Sequence, residues 1–439
     1  MQRTFVCAKH AFMLQRMKRI AYLLMICLAL LPMMSRAQFV AQGTGIGAAP
    51  SVSSDTAKTQ RQTAATQDSV TVSLLTCTPG PLVYELYGHT AIRVKETGRR
   101  QSDWVFNYGT FSFEQPHFMW RFMLGQTDYE LGVVPYSIFY DAYVREGRGI
   151  DEQVLNLSNI EAKRLVDALS NNLLPQNATY RYNFFYDNCT TRAMAMIERA
   201  VDGKVVWPKG DKDKSLRSIV DEFSEASPWN RFGQDLLLGS EADDEADVQK
   251  QMFAPIYAER FLEKALIKSA DGSTYHLAAS VRTLLPVQPM PNDTFPISPI
   301  WMFGTLFAFT VIISLVEYAR RTFYWQYDVL LYLAQGLTGC IITFLFFFSA
   351  HPAVGSNWLV AMFNPLPLVF FAWYMKDAVA KCRCWSVWVE TAMLAVALIA
   401  GIAGWQIYPI EIYLIIAALV VRLIAQCVNI PRVAKGEMK

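Results

Sequence analysis

The chain has 439 residues, enough for two or three domains, and a formal net charge of +2 that by itself selects no class of partner. Hydrophobic residues make up 53% of it, more than a soluble protein carries, and their clustering points to membrane segments. No Gly-rich phosphate loop, no basic stripe for nucleic acid and no metal-ligand spacing is present, so no cofactor or metal is expected.

The first element is a secretory signal over residues 1–37. Arg16, Lys18 and Arg19 precede a short apolar run, and Ser35 and Ala37 supply the small residues needed for cleavage before Gln38. An uncleaved anchor helix is the alternative. Residues 38–69 are rich in Ala, Thr, Ser and Gln, cannot bury enough apolar surface to fold, and read as a flexible linker.

An exported domain then spans 70–297. "TVSLLTC", 71–77, reads as a strand, and "TPGP" breaks it. "HTAIRVKE", 89–96, and "DWVFNYGTF", 103–111, alternate with period two around a short turn at Gly98, which predicts a hairpin. Setting Glu96 opposite Arg100 sets Arg93 opposite Asp103, two opposite-charge pairs. The same register sets His89 opposite Asn107, a side-chain amide able to orient an imidazole. The plain alternative is that His89 caps the turn after Gly88.

"SNIE", 158–161, is a capping box that opens a helix with Ile160, Leu165, Val166 and Leu169 on one face. "NATYRYNFFYDN" reads as aromatic strand. Asp187 or Asn188 then caps a helix from Cys189 to Val201, stopped by Asp202-Gly203. The first turn of a helix stabilises a thiolate, and its free N–H groups can hold an oxyanion. Cys189 is therefore a candidate nucleophile. Cys77 is the other cysteine of the exported domain, so a Cys77–Cys189 disulfide is the competing reading. Farther on, the acidic run 241–247 reads as a solvated loop, and "SLRSIVDEF" and "YAERFLEKALI" read as amphipathic helices.

From Ser298 onward come five apolar segments, about 298–316, 328–349, 358–375, 387–405 and 408–427, each near the length that crosses a bilayer. Arg320 and Arg321 follow the first, Lys376, Lys381 and Arg383 the third, and Arg432, Lys435 and Lys439 the fifth. "HPAVGSN" and "WQIYP", between the others, hold no Lys or Arg. The positive-inside rule then puts the exported domain outside the cytoplasmic membrane, in agreement with the signal, with a cytoplasmic tail over 431–439.

"TCTPGPLVYELYGHTAIRV", "VFNYGTFSF" and "NFFYDNCTTR", with "FSAHPAVGSNWLVAMFNPLPLVF" behind them, resemble the signature segments of the Lnb family, the lipoprotein N-acyltransferases of Bacteroides-type bacteria. The resemblance implies an α+β fold: a circularly permuted papain-like (NlpC/P60-like) periplasmic domain followed by a bundle of five transmembrane helices over 298–430. It implies Cys189 as nucleophile and His89 as base. Asn107 is the choice for the third member, with Tyr108 and Asp103 as rivals. Tyr108, Asn188, Arg192, Trp120, His351 and Asn357 are candidates for substrate contact, although for the last two the favoured reading is that Pro352 and Gly355 merely turn the chain between helices. The implied partners are a phospholipid acyl donor and a diacylated apolipoprotein acceptor, both in the bilayer. A membrane-tethered cysteine peptidase or amidase acting on cell-wall peptides, and a binding module held by the disulfide, are the other function classes.

Overall fold

The computed structural model describes residues 69–98, 101–111, 116–269, 271–288, 295–369 and 385–434. The signal and nearly all of the linker lie outside them. Among the described residues there are ten strands: β1 (Ser69–Cys77), β2 (His89–Thr97), β3 (Ser102–Thr110), β4 (Asp128–Pro135), β5 (Ile150–Leu155), β6 (Thr179–Arg181), β7 (Lys204–Val206), β8 (Leu266–Lys268), β9 (Thr274–His276) and β10 (Ala278–Leu285). Seven form one antiparallel sheet in the order β10-β5-β1-β2-β3-β4-β6, and β7-β8-β9 form a small second sheet.

Period-two alternation gives the large sheet two apolar faces. Val72, Leu74, Ile92 and Val94 meet Leu165, Leu169, Ala193 and Ile197 of the helices Asn159–Asn172 and Cys189–Ala200. Leu75, Cys77, Ala91 and Val105 meet Phe139 and Tyr143 of the helix Tyr136–Glu146. The capping box at Ser158 forms, with the Glu161 carboxylate accepting from Ser158 N–H at 2.8 Å. Ile160, expected on the buried face, is 73% exposed, because the helical turn carries it to the side away from the buried Ala162, Leu165 and Leu169.

The hairpin forms with a register two residues away from the expected one. Lys95, not Arg93, stands opposite Asp103, and Ile92 stands opposite Phe106. The strands run on to Thr97 and start again at Ser102, so the connection is wider than a three-residue turn. An offset of two keeps every side chain on its face. Arg93 therefore reaches Asp103 diagonally, with bonds of 2.8 and 2.5 Å.

Other elements differ locally. "NATYRYNFFYDN" yields only the short β6, preceded by a helical turn at Pro175–Ala178 and followed by a tight loop closed by Asn183 and Asp187. The second amphipathic helix stops at Lys264, and Leu266–Lys268 becomes a strand. Residues 240–243 are a 3-10 turn with Ala242 buried, and Asp243 is bound to Arg217 at 2.5 Å, so the acidic run is partly a docking element.

The C-terminal half is made of apolar helices. Pro299–Arg320, Trp325–Phe348 and Ile410–Val428 are long and apolar enough to cross a membrane, and Val387–Ile402 is shorter. The third expected segment does not start as a spanning helix. It opens with a 3-10 turn at Trp358–Val360 and turns at Asn364, whose side chain accepts from Leu366 N–H at 3.0 Å beside Pro365 and Pro367. Its continuation, 370–384, lies outside the described residues.

Both halves belong to one compact unit, 65–439. The loops that lack Lys and Arg make the junction. Gly239 N–H donates to Ala353 O at 2.7 Å, and Gln406 Nε2 donates to Leu238 O at 2.9 Å.

Candidate active site

Cys189 is the first residue of its helix, and Asn188 is the cap. The Asn188 Oδ1 accepts from the N–H groups of Thr190 and Thr191, both at 2.9 Å. Its Nδ2 donates to Phe184 O and Phe253 O, both at 2.8 Å. Asn188 is buried and its amide fully engaged, which fits it for holding the cysteine turn rather than meeting a substrate. Asn188→Ala strands two N–H groups and two carbonyls, and is expected to cost about 2 kcal/mol or more of stability, read by denaturant unfolding of the detergent-solubilised chain.

His89 is the first residue of β2, at the open end of the strand. The approach depends on Gly88, whose φ of +81° and 2.4 Å separation from Cys77 O, measured to an added Cβ, leave no room for a side chain. The imidazole lies between two groups. Asn107 Oδ1 accepts from Nε2 at 3.2 Å, and the Cys189 thiol is near enough for each to shift the other's charge. The wider register moves Asn107 off the position opposite His89. The contact survives because both residues remain on one face.

A β-bulge sets the last part of this geometry. The β3–β4 pairing shifts between Asn107 and Thr110, and Gly109 within the bulge has a φ of +89°. An added Cβ there would stand 3.7 Å from the Cys189 Cβ, so the bare glycine backbone walls the thiol. An isolated glycine inside an alternating strand is the sequence sign of such a bulge.

The electrostatics favour a charge-separated pair. Burial opposes ionisation of Cys189, but the His89 charge, the His89 hydrogen bond, the Thr90 backbone N–H and the Thr190 hydroxyl together hold the thiol below its ordinary range. Burial likewise opposes the imidazolium. The Cys189 charge and the hydrogen bonds to Cys189 and Asn107 outweigh it and raise His89. Thr90 had no signal in the sequence. Its hydroxyl also meets that of Thr190 at 3.0 Å, tying the strand to the helix behind the sulfur.

Cys77 and Cys189 are both free thiols and pack on different cores. Burial pushes the Cys77 thiol up to about 12 even with a hydrogen bond to Tyr143, so it is an inert core group.

The other candidates lie elsewhere. Tyr108 is buried and accepts from Asn172 Nδ2 at 2.8 Å, and Asp103 holds Arg93, so neither rival of Asn107 touches His89. Arg192 grips Asp187 with bonds of 2.6 and 2.8 Å and lies over the Tyr180 ring. Trp120 is exposed on the Phe118–Met123 helix, with its ring 5.3 Å from that of Phe344. His351 and Phe122 O are 2.6 Å apart, and burial holds the imidazole below its ordinary range. Asn357 donates to Leu236 O at 2.9 Å and accepts from Gln406 Nε2 at 3.1 Å. His351 and Asn357 thus join the membrane half to the exported domain, doing more than turn the chain.

Among known protein families, the model of the Lnb N-terminal periplasmic domain matches residues 56–216, and that of the Lnb transmembrane domain matches residues 291–432. Together they cover more than half of the chain. No curated protein and no solved structure matches it.

Proposed function

This chain belongs to the Lnb family, with a periplasmic N-terminal domain and a membrane C-terminal domain, and on that premise we propose that it is an inner-membrane lipoprotein N-acyltransferase working through Cys189. The observation that carries the reading is the grouping of Cys189, His89 and Asn107 at a helix start, with the Cys189 thiol held low and His89 bonded to Asn107, in a domain bonded to the membrane half. A cysteine helix packed on an antiparallel sheet whose second strand supplies the histidine is what a permuted papain-like domain over 70–297 would have. The remaining bundle over 298–430 would keep it at the lipid.

In the first half-reaction the Cys189 thiolate attacks an acyl ester carbonyl of a phospholipid. The C–O bond breaks, His89 gives its proton to the departing oxygen, and a lysophospholipid leaves a thioester behind. In the second, the α-amine of a diacylglyceryl-cysteine attacks the thioester. His89 takes the amine proton, the C–S bond breaks, and the thiolate–imidazolium pair is restored. Asn188 occupies the N–H groups of Thr190 and Thr191, so the Cys189 N–H is the helix-start donor left for the oxyanion. Asn107 orients the ring and supports its charge.

Incubating the full-length protein with isotopically labelled phospholipid, without acceptor, should leave one labelled acyl group on Cys189 by peptide mass spectrometry. Adding a diacylated lipopeptide should discharge it as N-acyl product. No adduct on Cys189, together with unblocked lipoprotein amines unchanged on deletion of the protein, would overturn the reading. Accumulation of uncut cell-wall peptides in that deletion would favour the peptidase.

A further inference from the structure

The Phe118–Met123 helix carries three large apolar side chains outward: Met119 is 66% exposed, Trp120 54% and Phe122 43%. Three such groups within six residues of a periplasmic domain are a costly surface to leave in water. The helix is also fastened to the membrane half at several points. Ala350 N–H donates to Leu124 O at 2.9 Å, His351 meets Phe122 O, and the Phe122 and His351 rings are 5.2 Å apart.

The height of the helix follows from its neighbour. Trp120 packs on Phe344, which lies four residues before the end of the spanning helix Trp325–Phe348. At 1.5 Å per residue that is about 6 Å inside the helix end. Phe347 and Phe348, in the same last turn, are 67% and 66% exposed on a helix apolar enough to cross the bilayer. Trp120 and these phenylalanines therefore stand at one level, where aromatic residues gather at the lipid–water boundary.

We propose that the Phe118–Met123 helix is an in-plane lipid anchor, with Met119, Trp120 and Phe122 seated among the acyl chains of the periplasm-facing leaflet. Arg121 stays at the polar side, paired with Asp128. The apolar surface is continuous with that of the spanning helix, so the occupant is the same bilayer, not a separate protein. Behind the anchor a series of rings runs inward. Phe122 is 6.2 Å from Phe118, Phe118 5.8 Å from Phe111, Phe111 4.8 Å from Tyr129, and Tyr129 4.3 Å from Tyr182. Tyr182 borders the Gly109 bulge beside Cys189, so the anchor fixes the height of the thiol above the lipid. This holds whatever reaction Cys189 performs.

The full-length protein in phospholipid vesicles, with a fraction of the lipid carrying a diazirine on an acyl chain, is irradiated and the adducts are mapped by mass spectrometry. Adducts are expected on Met119, Trp120 or Phe122 as well as on Phe347 and Phe348. In the Met119→Asp/Trp120→Asp variant those in 118–123 should fall to background while those on the exposed Phe309 of the first spanning helix persist, showing that the bundle is still inserted. Labelling of the spanning helices with none in 118–123 of the unaltered protein would overturn the proposal. The readout needs no turnover, so it fails or succeeds independently of the acyl-transfer reading.

Discussion

Cys189→Ser and His89→Ala are each expected to lower N-acylation about 1,000-fold or more in the purified protein, with the chain still folded and membrane-bound. Loss of the thiolate removes the covalent route. Loss of the imidazole removes the proton donor and acceptor of both half-reactions, a contribution of about 100- to 10,000-fold on its own. The two act as a unit, so the double variant should be little worse than either single one. A second readout separates chemistry from damage. Iodoacetamide reacts with the thiolate, so its rate at Cys189 should persist to pH values below the ordinary thiol range and fall as pH drops through the lowered pKa. In His89→Ala the neighbouring charge and hydrogen bond are gone, burial is left to dominate, and the alkylation profile should move to higher pH. Wild-type turnover of Cys189→Ser would remove the covalent route, and wild-type turnover of His89→Ala, or an unmoved profile in it, would remove His89 from the role given to it.

Arg422→Leu is expected to be the most destabilising single change in the membrane half. Arg422 lies inside the helix Ile410–Ala434, and its five N–H donors make five bonds: to Asp328 at 2.6 and 2.9 Å, to Glu317 at 2.8 and 3.2 Å and to Ser314 at 3.0 Å. Three helices meet at this one side chain, and Arg422 and both its charged partners are buried. Leucine is shorter and uncharged and leaves two buried carboxylates without their cation, at a cost of about 3–5 kcal/mol. The measurement is the fraction of monodisperse protein after heating in detergent. Adding Glu317→Gln and Asp328→Asn to Arg422→Leu should recover most of the loss, because the stranded charges are then gone. Failure of that rescue would mean that the shape of Arg422, not its charge, holds the helices.

The two halves of the chain were legible to different depths. The Cys189 helix start follows from local chemistry, since a short polar side chain before an apolar helical run has few other uses. Its cap could be Asp187 or Asn188 by sequence; the tertiary contacts select Asn188, whose amide also bonds Phe184 O and Phe253 O. The hairpin shows the limit of charge pairing as a guide. Arg93 does meet Asp103, but a diagonal contact and a directly opposed one look alike in the sequence. Hydropathy ends the first apolar segment near 316. The helix runs on to Arg320 because Glu317 is satisfied by a partner a hundred residues away, which hydropathy alone does not register.

The sequence by itself determined the groups whose causes lie within a turn or a strand: the thiol at a helix start, the face shared by His89 and Asn107, and the apolar runs of the membrane half. The tertiary structure alone decided which of them meet. Joining Cys189 to His89 depends on a sheet register, a bulge at Gly109 and the packing of a helix on a strand one hundred residues upstream. Contacts of that span are set by the core as a whole, and no short window of residues carries them.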